Sequence, residues 1–317
     1  MEGVIFLYNV RTDLAIEATQ MCDKAFKIEG ADVKERTVDG VQVTDVKINT
    51  EFASERIGKP IGEYITIEAR QIKDGDEEIC KKVEKILSKE IVRLVKPQKS
   101  KKVLVVGLGN WNITPDALGP KVVGAVCVTR HLFENKIIKN DANVCSVSAV
   151  SPGVLGITGI ETGEIIKGIV EKSAPDAIIA IDALASRRMD RVSTTIQISD
   201  TGIVPGSGIG NARNGITQEI MGVPVIAIGV PTVVDAATVA NDSIEMLTET
   251  VRASAGEDSK LYETLKSFEG ENRYTLIKEV LNPFVGNLIV TPKEVDEIID
   301  NVSAIIADSI NAALLGE

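Results

Sequence analysis

Four short apolar runs, each bounded by Gly, Asp or Pro, constrain this chain more than any other feature: Val103–Val106, Ala177–Ile181, Val223–Val230 and Leu288–Val290. A strand with one wet face alternates apolar and polar residues. A strand covered on both faces does not, so continuous β-branched runs predict interior strands of a parallel sheet. Helical patterns separate most of these runs. Asp76–Val95 sets Ile79, Val83, Ile86, Leu87, Ile91 and Val95 at helical spacing behind an acidic first turn, and Lys293–Leu315 closes the chain as a second long helix. Upstream, Val41–Ile48 and Tyr64–Ala69 alternate as strands do. The polar stretch Thr50–Gly62 between them reads as a loop, and residues 1–35 as an N-terminal arm. The expected architecture is a single α/β domain with a mostly parallel central sheet, helices on both faces, and a β-containing N-terminal extension to about residue 72.

Composition narrows what such a fold can do. A net charge of −11 works against binding nucleic acid by phosphate neutralisation, so no direct nucleic-acid partner is expected. No apolar run reads as approaching the ~20 residues that span a bilayer, and Val4–Tyr8 is short for a signal-peptide core. Cys22, Cys80, Cys127 and Cys145 are widely spaced with no Cys-x-x-Cys pair, the pattern of reduced thiols in a cytosol-like compartment.

The chemistry-bearing residues are two aspartates. Val103–Pro120 reads VLVVGLGNWNITPDALGP: a strand, a glycine turn, then Asp116 at the expected start of a helix. The carboxyl edge of a parallel sheet is where ligands bind, and a helix N-terminus favours the ionised carboxylate. Asn112 stands where a dinucleotide loop needs its third Gly, so that fingerprint fails. A tight turn with Asp116 as a plain helix cap is the simpler alternative. Asp182 follows Ala177–Ile181 directly and is expected at the carboxyl end of a central strand. Two carboxylates in one crevice can divide acid and base roles when repulsion parts their pKa values from the ordinary ~3.9. Amides of Gly107–Asn110 are candidate oxyanion donors.

Other catalytic kits are poorly supplied. The single histidine, His131, is expected at the far end of the helix begun near Asp116, so His-based triads and zinc sites have little to draw on, and no metal or other cofactor is expected. Asp200 and Asp235 read as structural, and the Gly-rich Pro205–Gly215 as a flexible loop, with a wrap around an extended ligand as the less simple alternative. Thr12–Glu17 and Thr50–Glu55 share the pattern Thr, acid, large apolar, Ala, any, Glu, both in polar regions that a protease could reach.

With these residues in view, the chain resembles the bacterial spore germination protease family over nearly its whole length. The likeness is carried by VRTDLAIEA (10–18), VVGLGN with TPDALGP (105–120), TRHLFE (129–134), PGVLGITGIET (152–162), IIAIDALASR (178–187), TIQISDTGIVPGSG (195–208), VPVIAIGVPTVVDA (223–236) and NLIVTPKEVD (287–296). The resemblance implies an atypical aspartic endopeptidase of the spore core cytoplasm, tetrameric, made as a zymogen that cuts itself between Asp13 and Leu14. It also implies small acid-soluble DNA-coating spore proteins as substrates, cut after an acid in a Thr-Glu-Phe-Ala-Ser-Glu-like sequence, with Asp116 and Asp182 catalytic. On this reading residues 1–13 are a propeptide and 14–317 the protease domain. Asp116 is expected as base and Asp182 as acid. Arg187, Arg188 and Arg213 are the nearest cations in sequence for the acid before the cut bond, and Glu51–Phe52 is a candidate second cut site or pseudosubstrate. The GLGN-x5-D-x-x-G arrangement also looks like hydrogenase maturation endopeptidases, which have a related α/β fold. A metal-dependent enzyme of that type, or a non-enzymatic protein gripping an acidic peptide, are the alternatives.

Overall fold

The computed structural model describes residues 12–22, 27–138, 144–204, 215–256, 258–267, 271–285 and 288–316. Its strands are β1 (Ala31–Val38), β2 (Val41–Ile48), β3 (Gly62–Glu68), β4 (Lys102–Gly107), β5 (Ser146–Val150), β6 (Ala177–Ser186), β7 (Thr195–Ser199), β8 (Val225–Asp235) and β9 (Ile289–Val290). They form one sheet in the order β1-β2-β3-β7-β8-β6-β4-β5, with β9 pairing β8.

Only β8-β6-β4-β5 is parallel. The pairs from β1 to β8 through β2, β3 and β7 run antiparallel, as does β9 on β8. The sheet is therefore mixed, not mostly parallel as expected, and the N-terminal strands are continuous with it. Linker length explains part of this. Parallel neighbours need a crossover of a dozen or more residues, whereas β1 and β2 are joined by Asp39-Gly40 alone. Both turn residues have positive φ, 52° and 86°, the hairpin geometry that Asp-Gly supplies.

The lack of alternation in the runs of β4 and β6 has a simple cause, whereas Leu288–Val290, expected as an interior parallel strand, gives only the exposed, antiparallel β9. Val103 and Val105 of β4, and Ile179 and Ile181 of β6, pack into the larger core with helix α3 (Glu77–Val95), helix α4 (Leu118–Ala125) and the C-terminal helix Val295–Leu315. Their neighbours Leu104, Val106, Ile178 and Ala180 feed a second core with Ile166 and Val170 of the helix Thr162–Ser173. The C-terminal helix corrects one expectation: by length and composition it could cross a membrane. Here it buries Ile298 to Leu314 against α3 and α4 as a core helix.

Three further expectations change. The arm contains helix α1 (Ala15–Cys22), and the expected loop contains α2 (Glu51–Ile57), begun by Thr50, whose hydroxyl accepts from Ala53 N at 3.2 Å, and closed by Gly58 at φ 72°. Ala15, Ala18, Ala53 and Ile57 of these helices cover Val46, Ile48 and Tyr64 of the extension strands. The helix expected to run from Asp116 to His131 ends at Ala125, and His131 lies on the separate helix α5 (Arg130–Glu134). Asp200 and Asp235 do structural work: Asp200 accepts from Glu63 N at 2.8 Å, and Asp235 caps the helix Ala236–Ala255.

Candidate active site

The glycines of the GLGN turn place Asp116. A Cβ on Gly107 would run into the Gly119 carbonyl, one on Gly119 into the Leu108 backbone, and one on Gly109, at φ 111°, into the Asp116 carbonyl. Close approach of β4 to the start of α4 thus demands all three. Asp116 ends a one-turn 3-10 helix (Thr114–Asp116) two residues before α4. Its carbonyl accepts from Asn110 N at 3.1 Å, while Leu108 N donates to Ile181 O at 2.8 Å. At least two of the four amides of Gly107–Asn110 are therefore already engaged by the protein itself.

Asp182 is set by register. The last β4–β6 pair is Gly107 with Ile181, so Asp182 is the first β6 residue beyond the end of β4. The strand continues to Ser186 along β8, so Asp182 lies within a long strand and not at its tip. By alternation it shares the face of Ile178, Ala180 and Leu184. It is 7% exposed, and its Oδ1 accepts from Ala183 N at 2.9 Å. Burial pushes its pKa well above the ordinary carboxylate range, with the charges of Asp116 and then Asp13 adding to the rise.

Asp116 and Asp182 line one cavity of about 640 Å³ on this face of the sheet. Its walls include Tyr64 of β3, Gln197 and Ser199 of β7, and Ala227 and Gly229 of β8. A third carboxylate, Asp13, lies in the same cavity. The chain enters beside β6: Asp13 N donates to Ala185 O at 3.0 Å, and Ala185 N donates to Asp13 Oδ2 at 2.9 Å. Leu14 and Ile16 then bury themselves against Leu184. Gln197 holds both sides of the Asp13–Leu14 peptide: its Nε2 donates to Asp13 O at 3.3 Å and its Oε1 accepts from Ala15 N at 2.7 Å.

The cation among the described lining residues is Lys59. Its Nζ donates to Thr12 O at 3.1 Å. Burial lowers its pKa, and the charges of Asp13 and Glu17 oppose that. Arg187 and Arg188 do not line the cavity. They serve the same segment through backbone, donating N–H to the Glu17 carboxylate at 2.6 and 3.1 Å, while the Arg188 guanidinium pairs with Asp190. Arg213 lies outside the described residues. Lys59 and Gln197 had no local signal in the sequence. The nearest clue was the repeated Thr-acid-apolar-Ala-x-Glu pattern, which drew attention to both segments that meet here. Among the described residues, no group of three or more His, Cys, Asp or Glu side chains is arranged to hold a metal ion.

Comparison with known proteins follows the same lines. The sequence matches the germination protease family over residues 10–267 and 254–317. The chain belongs to that family. Germination proteases similar to it include those of Caldanaerobacter subterraneus subsp. tengcongensis, 51% identical over 98% of this chain and 96% of the relative, and Clostridium acetobutylicum, 50% identical over 96% and 95%. That of Bacillus mycoides is 47% identical over 97% and 94%. Family membership makes the chain a peptidase with a role in spore germination. Among solved structures, a [NiFe] hydrogenase maturation protease from Thermococcus kodakarensis is 16% identical, covering 45% of this chain and 80% of its own, at a TM-score of 0.29. That likeness is too slight to carry an argument about mechanism.

Proposed function

We propose that this germination protease is a self-processing endopeptidase that hydrolyses its own Asp13–Leu14 bond and then cuts small acid-soluble spore proteins after an acidic residue. The supporting observation is that Asp13, whose carbonyl accepts from Gln197 Nε2, lines the same cavity as Asp116 and Asp182. A water attacks the Asp13 carbonyl carbon and gives its proton to Asp116. Asp182, kept protonated by burial and by its acidic neighbours, donates a proton to the Leu14 nitrogen as the C–N bond breaks. The products are a carboxylate at Asp13 and an amine at Leu14. Gln197 Nε2, already bonded to the carbonyl that becomes the oxyanion, replaces the Gly107–Asn110 amides as the favoured oxyanion donor. Lys59 and Ala185 N receive the acidic side chain before the bond.

Intact-mass spectrometry over time tests this reading. Residues 1–13 are lost from the parent and from neither Asp116→Asn nor Asp182→Asn. Loss at the parent rate in either variant would remove that aspartate from the mechanism.

A further inference from the structure

The most completely built side-chain site near the cavity belongs to Glu17. It is 2% exposed although it is charged, on a short helix whose residues Ala15 to Thr19 are all buried. Its carboxylate accepts from Arg187 N, Arg188 N and the Thr12 hydroxyl, and Arg191 Nη1 lies 3.4 Å away. Arg191 is itself buried, and Glu68 at 3.0 Å and Gln20 at 3.1 Å hold its guanidinium in place. Two backbone donors and a braced cation converging on one carboxylate make a receptor for that group and not a chance surface pair.

We infer that this receptor is a carboxylate subsite that reads the acidic side chain four residues beyond the cut bond. The inference rests on the Asp13–Leu14 cleavage proposed above. In Thr12–Glu17 each repeated position has a distinct contact. The Thr12 hydroxyl accepts from Leu14 N at 3.1 Å and reaches Glu17. Ala15, wholly buried, has no room to grow, and Glu17 fills the subsite. The segment turns helical at once, with Ala18 N donating to Leu14 O at 3.1 Å. The site therefore receives a helix start and not an extended strand. The copy at Thr50–Glu55 shows the same pattern folding as a capped helix, with Glu55 exposed to solvent. The pattern supplies the shape, and the Arg191 subsite distinguishes the two copies. Glu17 lies on the retained side of the cut, so it stays tethered beside the subsite after residues 1–13 leave. An incoming substrate must displace it.

The test uses the full chain after it has shed residues 1–13. Two peptides are compared that contain Thr-Glu-Phe-Ala-Ser-Glu or the same sequence ending in Gln. The Gln peptide is expected to lose roughly 10- to 100-fold in kcat/KM, mostly through KM, the range for a lost charge-assisted hydrogen bond. Arg191→Gln should abolish the preference, so that the Glu peptide is cut no faster than the Gln peptide, and a thermal melt of the variant checks its fold separately. Glu17→Gln should slow self-processing yet, once processed, lower KM for the Glu peptide, a gain that a purely structural Glu17 would not give. Equal cleavage of both peptides by the parent would overturn the subsite and leave the protease reading intact. A chain that neither sheds residues 1–13 nor cuts either peptide would overturn both.

Discussion

Gln197 gives the sharpest test of the geometry. Its amide donates to Asp13 O at 3.3 Å, long for a resting hydrogen bond, as expected of a donor whose partner gains charge only in the transition state. Gln197→Met keeps the volume and removes both bonds. Loss of one preorganised oxyanion donor costs about 3 kcal/mol, or roughly 10²-fold in rate. A second cost falls on Ala15 N, which is buried and loses its 2.7 Å acceptor; an unsatisfied buried donor costs about 1–3 kcal/mol of docking. Gln197→Glu separates the two effects. It retains an acceptor for Ala15 N but can donate to the carbonyl only when protonated, so its rate should recover towards the parent's as pH falls. The assay is the first-order loss of residues 1–13 by intact mass at several pH values. A Gln197→Met rate within about threefold of the parent would refute the oxyanion role.

Asp182 takes up a proton on folding because its pKa is raised, so stability falls as pH climbs from the ordinary carboxylate range of ~3.9 through the raised value. Asp182→Asn should therefore raise the Tm at pH 7, by roughly 2 °C or more, and change it little near pH 4, as scanning calorimetry would show. On the proposed mechanism, in which the acid form of Asp182 donates, parent processing should slow as pH rises through the same window. Lys59→Met should raise KM about tenfold for peptides with an acid before the cut and much less for amide analogues, the loss of one half-buried charged contact. Gly109→Ala should destabilise the fold by roughly 2–4 kcal/mol in urea titration, since the new Cβ meets the Asp116 carbonyl at a positive φ. Thr50→Ala should cost about 1 kcal/mol as a lost helix cap while leaving the self-processing rate unchanged.

What the sequence could reveal was local. Continuous apolar runs located β4, β6 and β8 because both flanking cores draw on the same strand. Helical spacing located α3 and the C-terminal helix to within two residues at their starts. Asp116 could be singled out because a strand end and a glycine turn are written in neighbouring residues, and Asp182 because it follows a continuous apolar run, although that strand carries on past it. The antiparallel half was harder to read. β1 is an edge strand of charged residues with no buried face, and β7 mixes Thr, Gln and Ser into a wholly buried run, of which Gln197 and Ser199 line the cavity. Nothing local marks β3 as the partner of β7, yet that pairing brings Lys59 and Tyr64 to the wall that holds Gln197. Glu17 and Arg191 lie far apart in the chain, and each alone reads as an ordinary surface charge. Only the Thr12–Glu17 pattern hinted that the segment had a receptor.

The strand order also sets when the cavity can exist. β8 separates β7 from β6, so the wall carrying Lys59, Tyr64 and Gln197 joins the wall carrying Asp116 and Asp182 only after residues 225–235 have been made and inserted. Folds rich in contacts of such sequence separation form slowly. A chain still on the ribosome, or one nicked before β8, has both aspartates but no assembled cavity around them. Assembly of the cavity therefore waits on a strand made late in the chain.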